Sequence, residues 1–368
     1  MYNYSTQIEG FRMDKVRLST EFKDKLYAHR DANRARIITR LPEKIEGLTI
    51  SSSNFKPQGS MANYTIIQTT FVYDEYDIDD GVILNRSELI NEEGNELSAE
   101  EVRAELLSSL KDKRFSKQPT QVHNCIRVFY KEEDEERHHV DFPVYRKFEN
   151  ENGDTVQELA GGEGWMQSDP TQVNRWFLEE VIRLNQINSG WGTQFRRLVQ
   201  LIKRFGRSRK NWDLPNGMKL TMLVHECLPN YCNRIDLAFR ELLEAIDERL
   251  KLNKQIFNLA HPDQPALTRG ISDHNIVELE ERVQEALEQL EELDKNENND
   301  AARKAWDWIF RSDGYFKNFD DKEAEKAKEA SLRNKVDQLS SGCGKTSSLG
   351  VIGSVGVANT AHSFYGDR

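Results

Sequence analysis

The sequence lacks the features that mark several classes of protein. It has only four cysteines in 368 residues, and they show neither a pairing rhythm nor the Cys-x-x-Cys spacing of structural zinc sites. No uncharged apolar run approaches the roughly 20 residues that span a bilayer, and the N-terminus lacks the basic start and apolar core of a signal peptide. We therefore expect a soluble, cytoplasmic protein with reduced thiols.

An excess of positive charge is also absent. The chain has 51 Lys and Arg against 62 Asp and Glu, which gives a formal net charge of -11. This balance disfavours nonspecific binding to nucleic acid or to an anionic membrane, so we expect no membrane partner and no specific DNA binding. Any phosphate-bearing ligand must then meet local cations or a metal ion.

What is present divides the chain into a mixed half and a helical half. The pattern of residues 13–38 predicts a long N-terminal helix. Residues 44–60 predict a strand that runs into a tight loop at Gly59-Ser60, and a short helix is predicted to start at Met61. Two further strand regions are predicted, at 69–84 and at 121–148 around an acidic turn near 132–136. After residue 169 the spacing predicts helices at 171–187, 193–206, 218–228, 235–250 and from 276 onward. The predicted fold class is α+β.

The last residues, 340–368, are rich in Gly and Ser and predict a flexible tail. They contain "SGCGKTSS", which imitates a phosphate-binding loop. The Walker pattern requires a glycine five residues before Gly344, and Leu339 occupies that position. We reject the motif for this reason.

The stretch "DEYDIDDGVILN" concentrates carboxylates on a predicted strand. Residues two apart in a strand face the same side, about 6.6 Å from each other, so Asp77 and Asp79 project together while Asp80 points to the opposite side. A third carboxylate, Asp141, interrupts the apolar strand "HHVDFPVYR". Such a cluster suits divalent ions with oxygen ligands, such as Mg²⁺. From the Asp-x-Asp pattern alone, a solvated acidic turn explains the sequence equally well.

Two histidines, His138 and His139, precede Asp141 and raise the question of a zinc or iron site. Adjacent residues on a strand point in opposite directions, so the two rings cannot share one metal ion. We interpret them as a solvated pair.

The order of "QGS", a short helix, "DIDDGV" and "VDFPVY" resembles that of the DNA polymerase β-like nucleotidyltransferases. With "WMQSDPTQVNRWF" at residues 165–177, it is similar more narrowly to the cGAS/DncV-like nucleotidyltransferases (CD-NTases), the bacterial relatives of cyclic GMP-AMP synthase. The resemblance covers residues from about 55 to 290. It implies a polymerase β-like nucleotidyltransferase core at 1–165, a helical domain at 166–339, and an active site in the cleft between them.

The resemblance also implies an activity. Members of the family condense nucleoside triphosphates into cyclic di- or trinucleotide second messengers of antiphage defence, with release of pyrophosphate and with two Mg²⁺ or Mn²⁺ ions per site. The implied partners are NTP substrates, with ATP expected and GTP as a further candidate, and regulatory proteins of a defence operon. Two groups of residues match the family's motifs: the triphosphate-holding loop, Gln58, Gly59 and Ser60, and the catalytic, metal-binding carboxylates, Asp77, Asp79 and Asp141.

The family places a Ser-Asp pair, here Ser168 and Asp169, beside the nucleotide pocket. A structural role is an adequate alternative, because Asp169 suits a helix N-cap, Pro170 the first helical position and Gln172 a capping box. Both roles can coexist.

The family also places a phosphate-contacting lysine where this chain has Lys203, in the amphipathic segment "GTQFRRLVQLIKRFGRSR". By default, the basic residues of such a helix form a solvated face. Lys219 lies near another nucleotide-contacting position of the family, with a looser match.

Asn275 bears on the choice of base. It falls where a guanine-reading member of the family carries an aspartate, and an amide, which both donates and accepts, is well matched to adenine. This match favours ATP over GTP. An ordinary turn or cap asparagine explains the residue equally well.

Two other functions stay open. A polymerase of the same fold would add single nucleotides to RNA or to a small acceptor, although the acidic composition disfavours long RNA. A catalytically idle nucleotidyltransferase fold would serve as a nucleotide-binding scaffold. The intact carboxylate cluster argues against the idle scaffold, because like charges held close together are costly unless they bind metal.

Overall fold

A computed structural model describes residues 1–71, 75–130, 137–169, 171–270 and 272–340. Residues 1–313 form one compact unit, and a second unit begins at Gly314. The predicted acidic turn at 132–136 lies outside the described residues, and so does the predicted tail from residue 341 onward. The predicted domain boundary at residue 165 stays a prediction.

Eight strands form a single mixed sheet. They are β1 (Phe55–Gln58), β2 (Tyr76–Asn85), β3 (Thr120–Val122), β4 (Cys125–Tyr130), β5 (His138–Phe142), β6 (Val144–Glu149), β7 (Thr155–Gly161) and β8 (Gly164–Gln167). All of them precede residue 168, and the long helices of the second half follow. The α+β fold class is therefore confirmed.

The centre of the sheet is β2, which pairs with other strands on both edges. On one edge it is antiparallel to β1, and on the other it is parallel first to β5 and then to β6. The residue between β5 and β6, Pro143, has no N–H to donate, but its carbonyl accepts a hydrogen bond from Val82 N at 2.9 Å. The pairing with β2 therefore continues across the proline, while the outer partner changes from β4 to β7.

The helices in the first compact unit are α1 (Ser5–Phe11), α2 (Thr20–Arg40), α3 (Gly59–Ala62), α4 (Ala99–Leu110), α5 (Gln172–Ile187), α6 (Trp191–Gly206), α7 (Gly217–Glu226), α8 (Ile235–Leu252), α9 (His274–Lys295) and α10 (Asn299–Phe310). The second unit contains α11 (Tyr315–Ser340). None of the described helices is both long and apolar enough to cross a membrane.

The long helix predicted for 13–38 is present over most of that range as α2, but one continuous helix does not cover it. A π-helical turn at Arg12–Val16 separates α1 from α2, and Ser19 starts α2 by accepting a hydrogen bond from Phe22 N. A serine N-cap satisfies a backbone N–H that has no partner within the helix, so a new helix begins after Ser19. The strand predicted at 44–60 shrinks to the four residues of β1, and the short helix expected from Met61 begins earlier, at Gly59.

The helix α6 shows how the second half packs. Its predicted apolar side, formed by Phe195, Leu198, Leu201 and Ile202, is fully buried. The expectation that its basic residues form a solvated face is wrong for Lys203 and Arg204, which are 8% and 7% exposed. Burying a cation is costly, so these two side chains call for an explanation from their surroundings.

Candidate active site

An open cleft of about 1200 Å³ is lined by residues of the sheet and of the helices that follow it. The sheet side contributes the end of β1, the start of α3 and the first half of β2. The helical side contributes α5, α6, α7 and the loop before α7. Among the predicted site residues, those that line the cleft are Gln58, Gly59, Ser60, Asp77, Asp79, Ser168, Asp169 and Lys203.

The structure brings the three predicted carboxylates together on one face of the sheet, which we call the front face. Asp77 and Asp79 alternate with Ile78, which is buried. Asp141 on β5 is the direct register partner of Asp79, and parallel register partners project to the same side. Asp77 and Asp141 each place a carboxylate oxygen in one cluster of potential metal ligands. Asp77 and Asp79 therefore project to the same side of the strand, as the strand periodicity predicts.

The charge of Asp79 is poorly compensated. Burial, followed by the neighbouring carboxylates of Asp77 and Asp141, raises the pKa of Asp79 to about 7. Among the residues that the structure describes, no basic side chain forms a salt bridge with it. An aspartate in this environment is stabilised by a cation that approaches from the cleft.

Arg127 is a site residue that the sequence analysis missed. It lies on β4 opposite Asp141, and its Nε and one terminal nitrogen donate to the two Asp141 oxygens at 2.8 and 2.6 Å. These hydrogen bonds raise the pKa of Arg127 above its usual range. The signal in the sequence is the arginine inside the apolar run "CIRVFY", but its role requires the pairing of β4 with β5.

The expectation that His138 and His139 are solvated is wrong, because they are only 4% and 6% exposed. They do point in opposite directions. His138 stacks on Tyr130 on the rear face of the sheet, and its Nε2 lies 2.7 Å from His29 Nδ1. His139 lies on the front face, in the same ligand cluster as Asp77 and Asp141. Sequence reasoning failed here because burial by neighbouring strands is not visible from a histidine pair.

The two nitrogens of His139 differ in their contacts. Nδ1 is hydrogen-bonded to Glu75 Oε2 at 3.1 Å. Nε2 lies 3.1 Å from Asp77 Oδ1, yet it is buried and has no aligned hydrogen-bond partner. Burial lowers the pKa of His139, but the Asp77 and Asp141 carboxylates outweigh it, so the pKa lies above the ordinary value.

Asp80 points to the rear face, as the strand periodicity predicts. It is fully buried, and Arg34 on α2 donates to its two oxygens at 2.6 and 2.5 Å. Burial raises the pKa of Asp80 despite this partner, while Asp80 raises the pKa of Arg34 despite its burial. The two groups are therefore best treated as one mutually dependent ion pair.

Gly59 allows the loop to lie against the carboxylates. Its φ of +66° is one that side chains disfavour, and a Cβ built on it would lie 2.3 Å from Asp79 Oδ2. The following residue, Ser60, accepts hydrogen bonds at its carbonyl from Thr65 N and Ile66 N, which fixes the loop after α3. Gln58 Nε2 is buried without a hydrogen-bond partner. The predicted triphosphate loop thus lies directly beside Asp79.

Asp169 is not the N-cap of α5. The cap is Thr171, and Asp169 Oδ1 instead accepts from Thr171 N and Thr171 Oγ1, both at 2.8 Å. These contacts form a local turn at Asp169, and the N-cap lies two residues after the predicted position. Pro170 lies outside the described residues. Ser168 and Asp169 both line the cleft, so a side-chain role toward a ligand stays a prediction.

Lys203 reaches from α6 to the loop after α3. Its Nζ donates to the carbonyl and the hydroxyl of Thr65 at 3.2 and 3.3 Å, and no carboxylate pairs with it in the described part of the chain. Burial, then Arg207, lowers the pKa of Lys203 to about 7. Gly217 leaves room for this side chain, since a Cβ there would lie 3.0 Å from Lys203 Cε.

The other two predicted nucleotide contacts, Lys219 and Asn275, do not line the cleft. Lys219 Nζ donates to Asp273 Oδ2 at 2.7 Å, and Asp273 is the N-cap of α9. Asn275 Nδ2 donates to the carbonyl of Asp213 at 2.7 Å, and Asp213 does line the cleft. Both residues therefore lie behind the cleft wall, and their contact with a nucleotide stays a prediction.

The front-face residues fit a divalent cation. In the described residues, Asp77, Asp79 and Asp141 carry three carboxylates against one arginine partner, and the buried His139 Nε2, 3.1 Å from Asp77 Oδ1, has no aligned hydrogen-bond partner. Excess negative charge and a free lone pair at one point are the donor set that a divalent ion satisfies. The number and identity of the ions stay predictions.

Comparison with known proteins agrees with this geometry. Residues 53–145, which contain Gly59, Ser60, Asp77, Asp79 and Asp141, match the family model "Cyclic GMP-AMP synthase DncV-like, nucleotidyltransferase domain". The fold is similar to that of Vibrio cholerae DncV cyclic AMP-GMP synthase in complex with nonhydrolyzable GTP, with a TM-score of 0.66 and 17% identity over 84% of this chain and 96% of that one.

Two further structures of the Vibrio cholerae enzyme show the same similarity. The complex with the linear intermediate 5′ pppA(3′,5′)pG has a TM-score of 0.65 at 18% identity, covering 84% of this chain and 96% of that one. The 3′-deoxy ATP bound form has a TM-score of 0.67 at 17% identity, covering 84% of this chain and 95% of that one. Residues 53–145 thus match the nucleotidyltransferase domain of the DncV-like family, within a chain whose fold is similar to that of Vibrio cholerae DncV.

Proposed function

We propose that this protein is a template-independent nucleotidyltransferase that condenses nucleoside triphosphates, including ATP, into a cyclic di- or trinucleotide. The observation that carries the proposal is the convergence of Asp77, Asp79 and Asp141 beside the Gly59-Ser60 loop. The DncV-like family match and the similar fold of a cyclic AMP-GMP synthase support this reaction class.

The roles of the side chains follow from their positions. Asp77, Asp79 and Asp141 would hold two divalent ions, Mg²⁺ or Mn²⁺. Such ions, when bound, activate an attacking hydroxyl and neutralise a leaving pyrophosphate. Gly59 lets the loop backbone approach the triphosphate, and Ser60 offers it a hydroxyl. Lys203 contacts the phosphates from the helical side, where a cation with no carboxylate partner is available to an anion.

The size of the cleft supports a reaction between two nucleotides. Its volume of about 1200 Å³ exceeds the roughly 300–1000 Å³ usual for a pocket that takes one small molecule. Ser168, Asp169 and the Asp213 loop, which Asn275 supports from behind, line its wall and are the groups we assign to reading the bases. By its resemblance to the CD-NTases, we assign the product to antiphage signalling.

The test is product analysis. We expect the purified chain, incubated with each NTP singly and in mixtures with Mg²⁺ or Mn²⁺, to form a phosphatase-resistant cyclic product that contains adenine, identified by mass spectrometry. The Asp77→Asn, Asp79→Asn double variant should lose activity by about 1000-fold or more, because it removes two ionic ligands without changing side-chain shape. The matched control is Asp154→Asn, on the exposed turn between β6 and β7.

The alternatives give different results. Extension of an added RNA or small acceptor, with no cyclic product, would identify the single-nucleotide polymerase. Nucleotide binding without turnover, and with equal behaviour of the double variant, would identify the idle scaffold. The formal charge of -11 disfavours long RNA as the acceptor, and the costly, intact carboxylate cluster disfavours the idle scaffold.

A further inference from the structure

The side chain of His139 is held in one orientation on the front face. It is 6% exposed, and its Nδ1 is hydrogen-bonded to Glu75 Oε2. An ionised carboxylate only accepts hydrogen bonds, so in the neutral imidazole this contact places the proton on Nδ1. Nε2 then carries a lone pair, and it is the nitrogen that lies 3.1 Å from Asp77 Oδ1 without hydrogen-bond alignment.

Two lone-pair atoms at this separation repel each other unless a proton or a metal ion lies between them, and this contact lacks the alignment of an N–H···O hydrogen bond. Adjacent ligands of an octahedral ion with bonds of about 2.1 Å lie about 3.0 Å apart. The Nε2–Oδ1 distance of 3.1 Å matches this spacing. Asp141 completes the set, because one ligand atom from each of Asp77, His139 and Asp141 lies within 4.8 Å of the others.

We propose that His139 Nε2 is a direct ligand of one divalent ion, together with Asp77 and Asp141, and that this site prefers a first-row transition ion such as Mn²⁺ over Mg²⁺. Imidazole nitrogen binds transition ions well, whereas Mg²⁺ takes oxygen ligands. Glu75 is a positioning residue, since a carboxylate on the second ring nitrogen fixes the tautomer and the ring plane of a metal-bound histidine. The proposal rests on the proposed function and deepens it.

The neighbouring histidine shows that burial alone does not produce this arrangement. His138 is equally buried, but on the rear face its Nε2 contacts His29 Nδ1 at 2.7 Å and its ring stacks on Tyr130. It lies outside the cluster of potential ligands. His138 therefore provides a matched control on the same strand.

The test is pulsed electron paramagnetic resonance of Mn²⁺ bound to the full chain, with a nonhydrolysable ATP analogue to fill the cleft. We expect the ¹⁴N modulation of a directly coordinated imidazole. It should change to the ¹⁵N pattern when the protein is grown on ¹⁵N-labelled histidine, which requires no substitution and so no assumption about folding. The signal should vanish in His139→Gln and persist in His138→Gln.

Affinity gives a second readout. In the same chain, His139→Gln should weaken Mn²⁺ binding by about 10- to 100-fold and Mg²⁺ binding by less than about threefold, measured by calorimetry. Glu75→Gln should weaken Mn²⁺ binding by about tenfold while keeping the nitrogen signal. Equal losses for both ions would overturn the claimed preference.

The outcomes separate this proposal from the function on which it rests. Mn²⁺ bound in the cleft without histidine nitrogen coupling, in a protein that still makes product, would overturn the ligand assignment alone. A chain that neither binds a divalent ion nor makes product would overturn both.

Discussion

On the rear face of β2, Asp80 is fully buried and Arg34 donates to both of its oxygens, whereas on the front face the neighbouring Asp79 has two carboxylates beside it and a pKa raised to about 7. The two residues are adjacent in sequence and chemically identical. Their environments differ because one faces the packed helix α2 and the other faces the cleft. The comparison teaches that paired charge in this chain supports the fold, and that poorly compensated charge marks the cleft where we propose that a ligand binds.

On the helical side of the cleft, two lysines show the same contrast for positive charge. Lys219 is paired with Asp273 behind the wall, while Lys203 in the cleft donates to the neutral oxygens of Thr65 and has no carboxylate partner in the described part of the chain. An anionic ligand would thus meet a cation that the fold leaves available. The following predictions test whether this division between paired and available charges holds.

The largest effect on stability is expected for Arg34→Met. It would leave Asp80, which has no exposed surface, without its ion-pair partner, and breaking a buried pair costs about 3–5 kcal/mol. The free energy of unfolding from urea titration at pH 8 measures it. The double variant Arg34→Met, Asp80→Asn should recover part of the loss. A loss below about 1 kcal/mol would contradict the structural role of the rear-face pair.

Asp79→Asn should change stability in the opposite direction. Because the folded state raises the pKa of Asp79 from 3.8 to about 7, ionisation costs stability progressively from pH 4 to pH 7 and fully above pH 7. Removing the charge should therefore stabilise the chain by about 1–2 kcal/mol at pH 8 in EDTA, after discounting for partial exposure, and should have little effect at pH 4.

Added Mn²⁺ should stabilise the wild type more than the variant, because Asp79→Asn removes one carboxylate from the proposed two-ion site while Asp77, His139 and Asp141 remain. Destabilisation by Asp79→Asn at pH 8 in EDTA would show that the front-face carboxylate is structural after all.

Some of the features behind these stability tests could be predicted from the sequence, and others could not. The alternation around Ile78 was enough to place Asp77 and Asp79 on one side and Asp80 on the other, because the strand period is independent of context. Asp141 could also be selected from the residues, as a carboxylate that interrupts an apolar strand, whereas its pairing with Asp79 is known only from the sheet. Arg127 and His139 could not be predicted, because their roles arise from strand pairing and from burial.

The helices show a similar division. The buried side of α6 was predictable from its periodicity, but the burial of Lys203 depends on Gly217 and Thr65, which are distant in sequence. The break between α1 and α2 was missed because charged residues hide the Ser19 cap. Local patterns thus predicted the elements, and only tertiary contacts determined which charges lack partners.

A moderate effect on nucleotide binding is expected for Lys203→Met. Burial holds the pKa of Lys203 near 7, so at pH 8 the free lysine is largely neutral, and a bound triphosphate should draw about one proton onto it. With metal present throughout, calorimetry of a nonhydrolysable ATP analogue in buffers of different ionisation enthalpy should detect this uptake in the wild type and not in the variant.

The affinity of Lys203→Met should fall by about tenfold, because a charge-assisted contact is lost. Lys219→Met, which removes a paired lysine, should lose less, and Lys251→Met on α8 serves as a remote control. Equal proton uptake by Lys203→Met and the wild type would exclude Lys203 as the proton acceptor.

The smallest effect, on the base composition of the products, is expected for Asn275→Asp. The Asn275 amide already donates to the Asp213 carbonyl, so any influence on the base is transmitted through the cleft wall. We expect a shift from ATP toward GTP of less than about tenfold, measured as base composition of the products from an equimolar mixture. The change in stability should stay within about 1 kcal/mol, because an acidic residue suits the first turn of α9. An unchanged product composition would show that Asn275 has no role in base selection.

The Arg34–Asp80 pair has a consequence for the fidelity of folding. If β2 slipped by one residue against β5, every side chain of the strand would exchange faces, and Asp80 would stand where Asp79 belongs. The sequence "DIDD" would tolerate such an error, since an acid would still face Asp141. Arg34 penalises it, because in the slipped strand Gly81 would take the position of Asp80 and leave the guanidinium without its carboxylate partner. Arg34, which does not line the cleft, thus selects which aspartate faces it.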